Sequence, residues 1–176
     1  MAVHALAGGA AGPSARRWAA FAAIAGAIAL ADQVTKAMVT AAVPLGQMQP
    51  LAGDLLRIAP AANTGALFGL FRDQALLFGA LSLVVLGLIV FYHARSAAAA
   101  GPLLTVALGL LLGGAIGNLI DRFRFGYVLD FVDMGVGGLR WYTYNVADAA
   151  ITASILVLLL MTLLGERLPG AGRGRG

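Results

Sequence analysis

The segment GNLIDRFRFGYVLDFVDMGVGGLRWYTYNVADAAIT, residues Gly117 to Thr152, joins two long apolar stretches. It carries four of the chain's eight acidic side chains: Asp121, Asp130, Asp133 and Asp148. Of the 176 residues, 60% are hydrophobic and 11% are charged, and the mean hydropathy is +0.88. A water-soluble domain of this size needs far more polar surface. The composition therefore specifies an integral membrane protein, and the length suits one compact bundle. In that setting an acid at the end of an apolar segment is costly unless it faces protein or water.

The apolar stretches flanking this segment run from Gly101 to about Ile120 and from Val146 to Leu164. Two more precede them, Trp18 to Val39 and Gln74 to Tyr92. Each is close to the ~20 residues that a helix needs to cross a bilayer. The first is too long for the apolar core of a signal peptide, and its second half holds Asp32, Gln33, Thr35 and Lys36. In the third, Gly109, Gly113 and Gly117 recur every four residues and form a small-residue ridge on one helix face. Residues 40–73 are mixed, with alternation around Leu51 to Ile58 that predicts one or two short strands, and they end in NTGALFG, Asn63 to Gly69. Residues 1–15 and 166–176 are Ala/Gly-rich or basic and Gly-rich, and read as disordered tails. This leaves 16–165 as a single four-helix domain.

Four spans place both termini on one side. That side holds Arg16, Arg17, Arg95, Arg167, Arg173 and Arg175, and the other Arg57, Arg72, Arg122, Arg124 and Arg140. The first set lies in short flanks, and Arg122 and Arg124 have acidic neighbours. Both features favour termini inside, with 40–73 and 121–145 outside.

The chain has no cysteine, which excludes disulfides, thiolate metal sites and a Cys nucleophile. Its pI near 10.1 comes from scattered arginines beside apolar segments, which suits lipid headgroups and not nucleic acid. There is no phosphate loop, no Ser/His/Asp set on the outer side and no His-rich metal motif. An all-carboxylate Mg²⁺ site from Asp121, Asp130 and Asp148 would serve a phosphate substrate, and nothing in the chain reads phosphate. No metal and no cofactor are expected.

Asp148 follows Asn145 by three residues at the start of the fourth span. One reading is structural: Asn145 caps the helix and Asp148 complements its dipole. Asp130, in VLDF, reads as a solvated loop acid, as an ion-pair partner of Arg122 or Arg124, or as half of a carboxylate pair. Two carboxylates sharing a site hold one proton between them. The ionised one can then take a proton from water while the protonated one polarises a carbonyl. Asn118 and Asp121 share a helix face, and Asp121 with Arg122 would fix the helix end as an ion pair. Asp32 and Lys36, four apart inside the first span, pair with each other in a structural role. Asn63, with Gly65 and Gly69, marks a turn or a substrate-binding loop. His93 reads as a snorkelling residue at the inner boundary.

DQVTK (Asp32–Lys36), NTGALFG, GGAIGNLIDR (Gly113–Arg122), VLDF (Val128–Phe131) and YNVADAAI (Tyr144–Ile151) together resemble the lipoprotein signal peptidase, or signal peptidase II, family. They occur in the family's order from about 30 to 152. The resemblance implies a bacterial inner-membrane aspartyl endopeptidase with its active site outside and both termini cytoplasmic. Its substrate is a prolipoprotein, cut just before the cysteine that carries diacylglycerol. The implied catalytic aspartates are Asp130 and Asp148, with Asn63, Gly65, Asn118, Asp121, Arg122 and Asn145 in support. The implied fold is all-α, with four transmembrane helices, a small β-rich cradle over about 41–70, and a short outer helix acting as a lid over about 123–142. The expected partners are prolipoprotein and membrane lipid, with the enzyme acting as a monomer. Leu67 and Tyr144 depart from the family's usual small residue and Phe, and Asp133 to Thr143 matches least. The rival readings are a small channel or transporter using the acids as an ion pathway, a scaffold built on the glycine ridge, and a metal-dependent hydrolase.

Overall fold

In lipid a backbone must satisfy its own polar groups, so long apolar runs have little choice but to become helices. The computed structural model describes residues 13–64, 75–96 and 101–164. The elements are α1 (Pro13–Ala42), β1 (Gln49–Ala52), β2 (Leu56–Asn63), α2 (Ala75–Ser96), α3 (Pro102–Phe125), β3 (Val128–Val136), β4 (Leu139–Arg140) and α4 (Val146–Leu163). All four helices have the length and composition to cross a membrane. α1 starts at Pro13, inside the expected N-terminal tail. Residues 1–12 and 166–176 lie outside the described residues.

α3 is the central helix. Its most apolar window is 56% buried, against 17% in each of the other three. The glycine ridge explains this. A Cβ on Gly113 would stand 2.6 Å from the Ala25 carbonyl oxygen of α1, and one on Gly117 2.6 Å from Asp32 Oδ2. A Cβ on Gly114 would meet the Ala147 carbonyl of α4 at 2.5 Å. Only hydrogen fits at these three positions, so α1 and α4 both close onto α3 backbone to backbone. The helix opens with Pro102 in its first turn and stops at Gly126, whose φ of +78° lets its N–H return to the Arg122 carbonyl.

At the end of the bundle remote from the sheet, Phe21, Ala25, Ile89, Leu104, Leu108 and Leu112 form the apolar core. His93 belongs here and does not snorkel. It is 1% exposed, stacks on Phe21 at 4.1 Å and meets Trp18 edge-on at 4.7 Å. Covering the ring with two aromatics removes more apolar surface from lipid and water than an outward rotamer would.

The four strands form one antiparallel sheet in the order β1-β2-β3-β4, with β1 and β2 inside the expected cradle. Pro60, which has no N–H to give, sits where the β2–β3 register shifts between Ile58 and Ala61. The short outer helix expected within 123–142 is not formed. α3 continues to Phe125, and the segment then makes β3, a turn at Gly137 with φ +56°, and β4. Val128, Val132 and Val136 are β-branched and suit a strand, and Gly135, Gly137 and Gly138 weaken any helix. The partner strand β2 supplies the rest, with Ala61 opposite Asp130 and Asn63 opposite Val128.

Candidate active site

α4 begins inside protein, so its first N–H groups need partners. Asn145 supplies one. Its backbone is extended and its Oδ1 accepts the Asp148 N–H at 2.8 Å, while Asp148 Oδ2 accepts the Asn145 N–H at 3.2 Å. This reciprocal capping box is the structural role read from the sequence. It leaves Asp148 Oδ1 available, and that oxygen accepts from Asn118 Nδ2 of α3 at 2.8 Å. A third donor, the Ala147 N–H, reaches across to Asp32 Oδ1 of α1 at 3.0 Å.

Asp130 reaches the same place from β3 and is 3% exposed. Its Oδ1 accepts from Asn145 Nδ2 at 2.8 Å and its Oδ2 from Asn63 Nδ2 at 3.0 Å. Asn63 is two residues from Ala61, the register partner of Asp130, so its side chain shares that face of the sheet. Arg124, a candidate partner by sequence, turns instead to Gln33 Oε1 at 3.5 Å and over the Phe125 ring. Burial, and then the charge of Asp148, push the Asp130 carboxyl up to about 7. The Asn63 and Asn145 hydrogen bonds and the Lys36 charge oppose this and do not overcome it. Both aspartates and Asn63 line a cavity of about 1010 Å³, walled by Arg140, Trp141 and Tyr144 on the sheet side and by Ala149, Ala153 and Leu156 on α4.

A fully buried polar layer lies beneath. Lys36 Nζ stands 2.7 Å from Asp32 Oδ2 and 2.7 Å from Asp121 Oδ2, with side chains 5%, 0% and 1% exposed. The Asp32–Lys36 pair is as the spacing predicts. Asp121 also pairs with Lys36, which the sequence reading did not foresee. Consecutive helix residues point apart, so Asp121 turns into the bundle toward Lys36. There it also accepts the Leu129 N–H at 3.0 Å and Gln33 Nε2 at 2.9 Å. Arg122 Nη1 donates to the Asn118 carbonyl at 3.2 Å and stands in the field of Asp148, Asp121 and Asp130.

Asn63, Asn118, Asp130, Asn145 and Asp148 therefore converge, with Asp32, Lys36 and Asp121 one layer back and Arg122 alongside. Gly65 lies outside the described residues. One residue of α1 and one ion cluster on the sheet escaped the sequence reading. Gln33 bonds both Asp121 and the Gly117 carbonyl, the latter at 3.2 Å; its signal was an amide in an apolar span beside Asp32. On the sheet, Asp133 is gripped by Arg57 at 2.7 Å and Arg140 at 2.6 Å, and Asp54 joins both arginines at 3.2 Å. Among the described residues no three His, Cys, Asp or Glu side chains converge as metal ligands would.

Comparison with known proteins adds to this geometry. The model of the family described as Signal peptidase (SPase) II matches residues 24–164. A Lipoprotein signal peptidase of Caulobacter vibrioides is 40% identical over 156 residues, covering 85% of this chain and 89% of that one. One of Syntrophomonas wolfei is 38% identical over 141 residues, covering 80% and 91%. A solved bacterial membrane enzyme superposes with a TM-score of 0.77 at 25% identity, over 89% of this chain and 95% of its own. With a family match across most of its length and relatives this similar, the chain belongs to the signal peptidase II family.

Proposed function

We propose that the protein is a membrane aspartic endopeptidase that removes the signal peptide from diacylglyceryl-modified prolipoproteins, cutting just before the lipid-bearing cysteine. Family membership supplies the reaction class. One observation carries the assignment to residues: Asn145 binds Asp130 through Nδ2 and Asp148 through Oδ1 and its own N–H, so a single residue sets both carboxyls on one cavity.

The pair holds one proton, and burial places it on Asp130 near neutral pH. Asp148 takes a proton from water as the water oxygen adds to the scissile carbonyl carbon, and Asp130 gives its proton to the carbonyl oxygen. On collapse the C–N bond breaks, the amine leaves with the proton from Asp148, and Asp130 regains its own. Asn63 and Asn145 orient Asp130, and Asn118 orients Asp148. No metal, cofactor or covalent intermediate is needed. Gly65 stays a candidate for peptide binding through its place two residues after Asn63.

The sheet end faces the outside of the bacterial inner membrane, and both termini face the cytoplasm. Residues 16–165 form one domain that works as a monomer. The substrate enters sideways from the bilayer, its acyl chains along α4 and its peptide under the β-rich cradle. An ion pathway finds no support, since the most buried acids, Asp32 and Asp121, are engaged by Lys36, Gln33 and backbone N–H groups.

Cleavage of a lipidated prolipoprotein in detergent with chelator present tests this reading. Wild type should process it, and Asp130→Asn and Asp148→Asn should each lose at least about 10²-fold, the low end for a lost acid or base. Processing retained by either variant would overturn the assignment.

A further inference from the structure

The two carboxamides that hold the aspartates could in principle face either way round, and the chemistry of the site depends on which way they face. Asn118 must present nitrogen to Asp148 and oxygen to Asn145, and Asn145 must present nitrogen to Asp130. An amide's orientation is set only by neighbours whose own polarity is unambiguous. The Leu129 carbonyl, which accepts from Asn145 Nδ2 at 3.3 Å, is one such group, and two more touch this relay. One is the backbone N–H of Asp148, which holds Asn145 Oδ1 at 2.8 Å. The other is the ammonium of Lys36, 3.4 Å from Asn118 Oδ1, which has three donors and no lone pair. Its other two donors go to Asp32 and Asp121. Asn118 Oδ1 also receives Asn145 Nδ2 at 3.1 Å. A flipped Asn118 would set its NH₂ against two donors and turn its oxygen toward the carboxylate of Asp148.

We propose that Lys36 is a positioning residue for the dyad, its ammonium fixing the Asn118 carboxamide so that an N–H always points at Asp148. This rests on the reading of Asp130 and Asp148 as the reacting pair and extends it to a residue that touches neither. The ammonium acts through charge as well. The charged groups facing Asp130 are Asp148 from α4, Lys36 from α1 and Arg122 from α3, and the Lys36 charge holds the Asp130 carboxyl below where burial alone would put it.

The test is Lys36→Gln in the full-length enzyme in detergent, with kcat, KM, the pH profile and thermal unfolding measured together. The expected result is a kcat loss of about 10- to 100-fold, the size usual for a partner that orients a group binding the reacting residue, with KM within about twofold of wild type. The alkaline limb of the profile should move to higher pH, because Asp130 keeps its proton longer without the nearby cation. Lys36→Arg, which retains charge and donors, should recover part of kcat. If Lys36→Gln does not fold, Lys36→Gln with Asp121→Asn removes the cation together with an acid it neutralises, and the same kcat loss is expected. A folded variant with unchanged kcat and unchanged limb overturns the proposal. So does failure of both variants to fold, which would assign Lys36 to folding alone. Should Asp130→Asn or Asp148→Asn cleave normally, it is the dyad that fails.

Discussion

Lys36 stands 2.7 Å from each of Asp32 and Asp121 inside the bundle, and Arg140 stands 2.6 Å from Asp133 on the sheet. The contact distances are alike, but the surroundings are not. The inner side chains are at most 5% exposed, whereas Arg57 and Arg140 are 19% and 18% exposed and Asp54 is 49% exposed. In the interior no water or salt ion can replace a lost partner, so each group depends on all the others. On the sheet Asp133 is buried, but solvent can stand in for Asp54 and reaches both arginines. The same chemistry therefore makes a rigid floor beneath the dyad and an adjustable clasp across β2, β3 and β4.

The sharpest way to break this contrast is to remove one acid from each cluster. Asp32→Ala should cost about 3–5 kcal/mol, the usual penalty for breaking a buried pair, since it also orphans the Ala147 N–H. Asp54→Ala should cost less than about 1 kcal/mol, and that cost should shrink further in high salt. Thermal unfolding in detergent compares them, and equal costs would show that burial does not separate the two regions.

A smaller effect tests what creates the buried floor. Gly113→Ala would drive a methyl into the Ala25 backbone and should destabilise by about 1–3 kcal/mol as an overpacked contact. At Gly87 on α2 a Cβ would meet nothing within 4 Å, so Gly87→Ala should be neutral or stabilise by up to about 1 kcal/mol through helix propensity. The paired unfolding curves decide whether close approach of α1 and α3 sets the site.

The two acids of β3 should also answer pH with opposite signs. Asp130 is raised to about 7, so the folded chain holds a proton that the unfolded chain has lost. Its contribution to stability is fully present at low pH, declines as pH rises above about 4, the unfolded value, and is gone above about 7. As the acid in cleavage it should make kcat/KM fall about tenfold per pH unit above about 7, measured as a pH–rate profile. Asp133 is lowered, first by its hydrogen bond from Arg140, with burial opposing and Arg57 assisting. Its contribution is present above about pH 4 and is lost as pH falls through the lower folded value. Trp141 follows Arg140 directly, so its fluorescence in a Trp18→Phe background should report the clasp loosening in acid, and an unchanged signal would sever the clasp from the hairpin's stability. This is the smallest effect expected.

What could be read in the sequence was local. Apolar run length placed the spans, and helical spacing of three and four residues gave the Asn145–Asp148 cap, the Asp32–Lys36 pair and the glycine ridge. Each of these follows from covalent geometry within one helix. Asp130 and Asn63 have no such periodic signature; residue type in an apolar or glycine-rich setting singled them out, and the resemblance gave them roles. Tertiary structure alone decided that Asp121 faces Lys36, that Gln33 joins them, that His93 packs between aromatics, and that 128–140 pairs with β2 instead of forming a helix. These contacts join residues up to 88 positions apart. Their partners depend on which face of α1 the close-packed glycines of α3 admit, and on which strand edge β2 leaves to β3. Neither is set by the residues nearby in the chain.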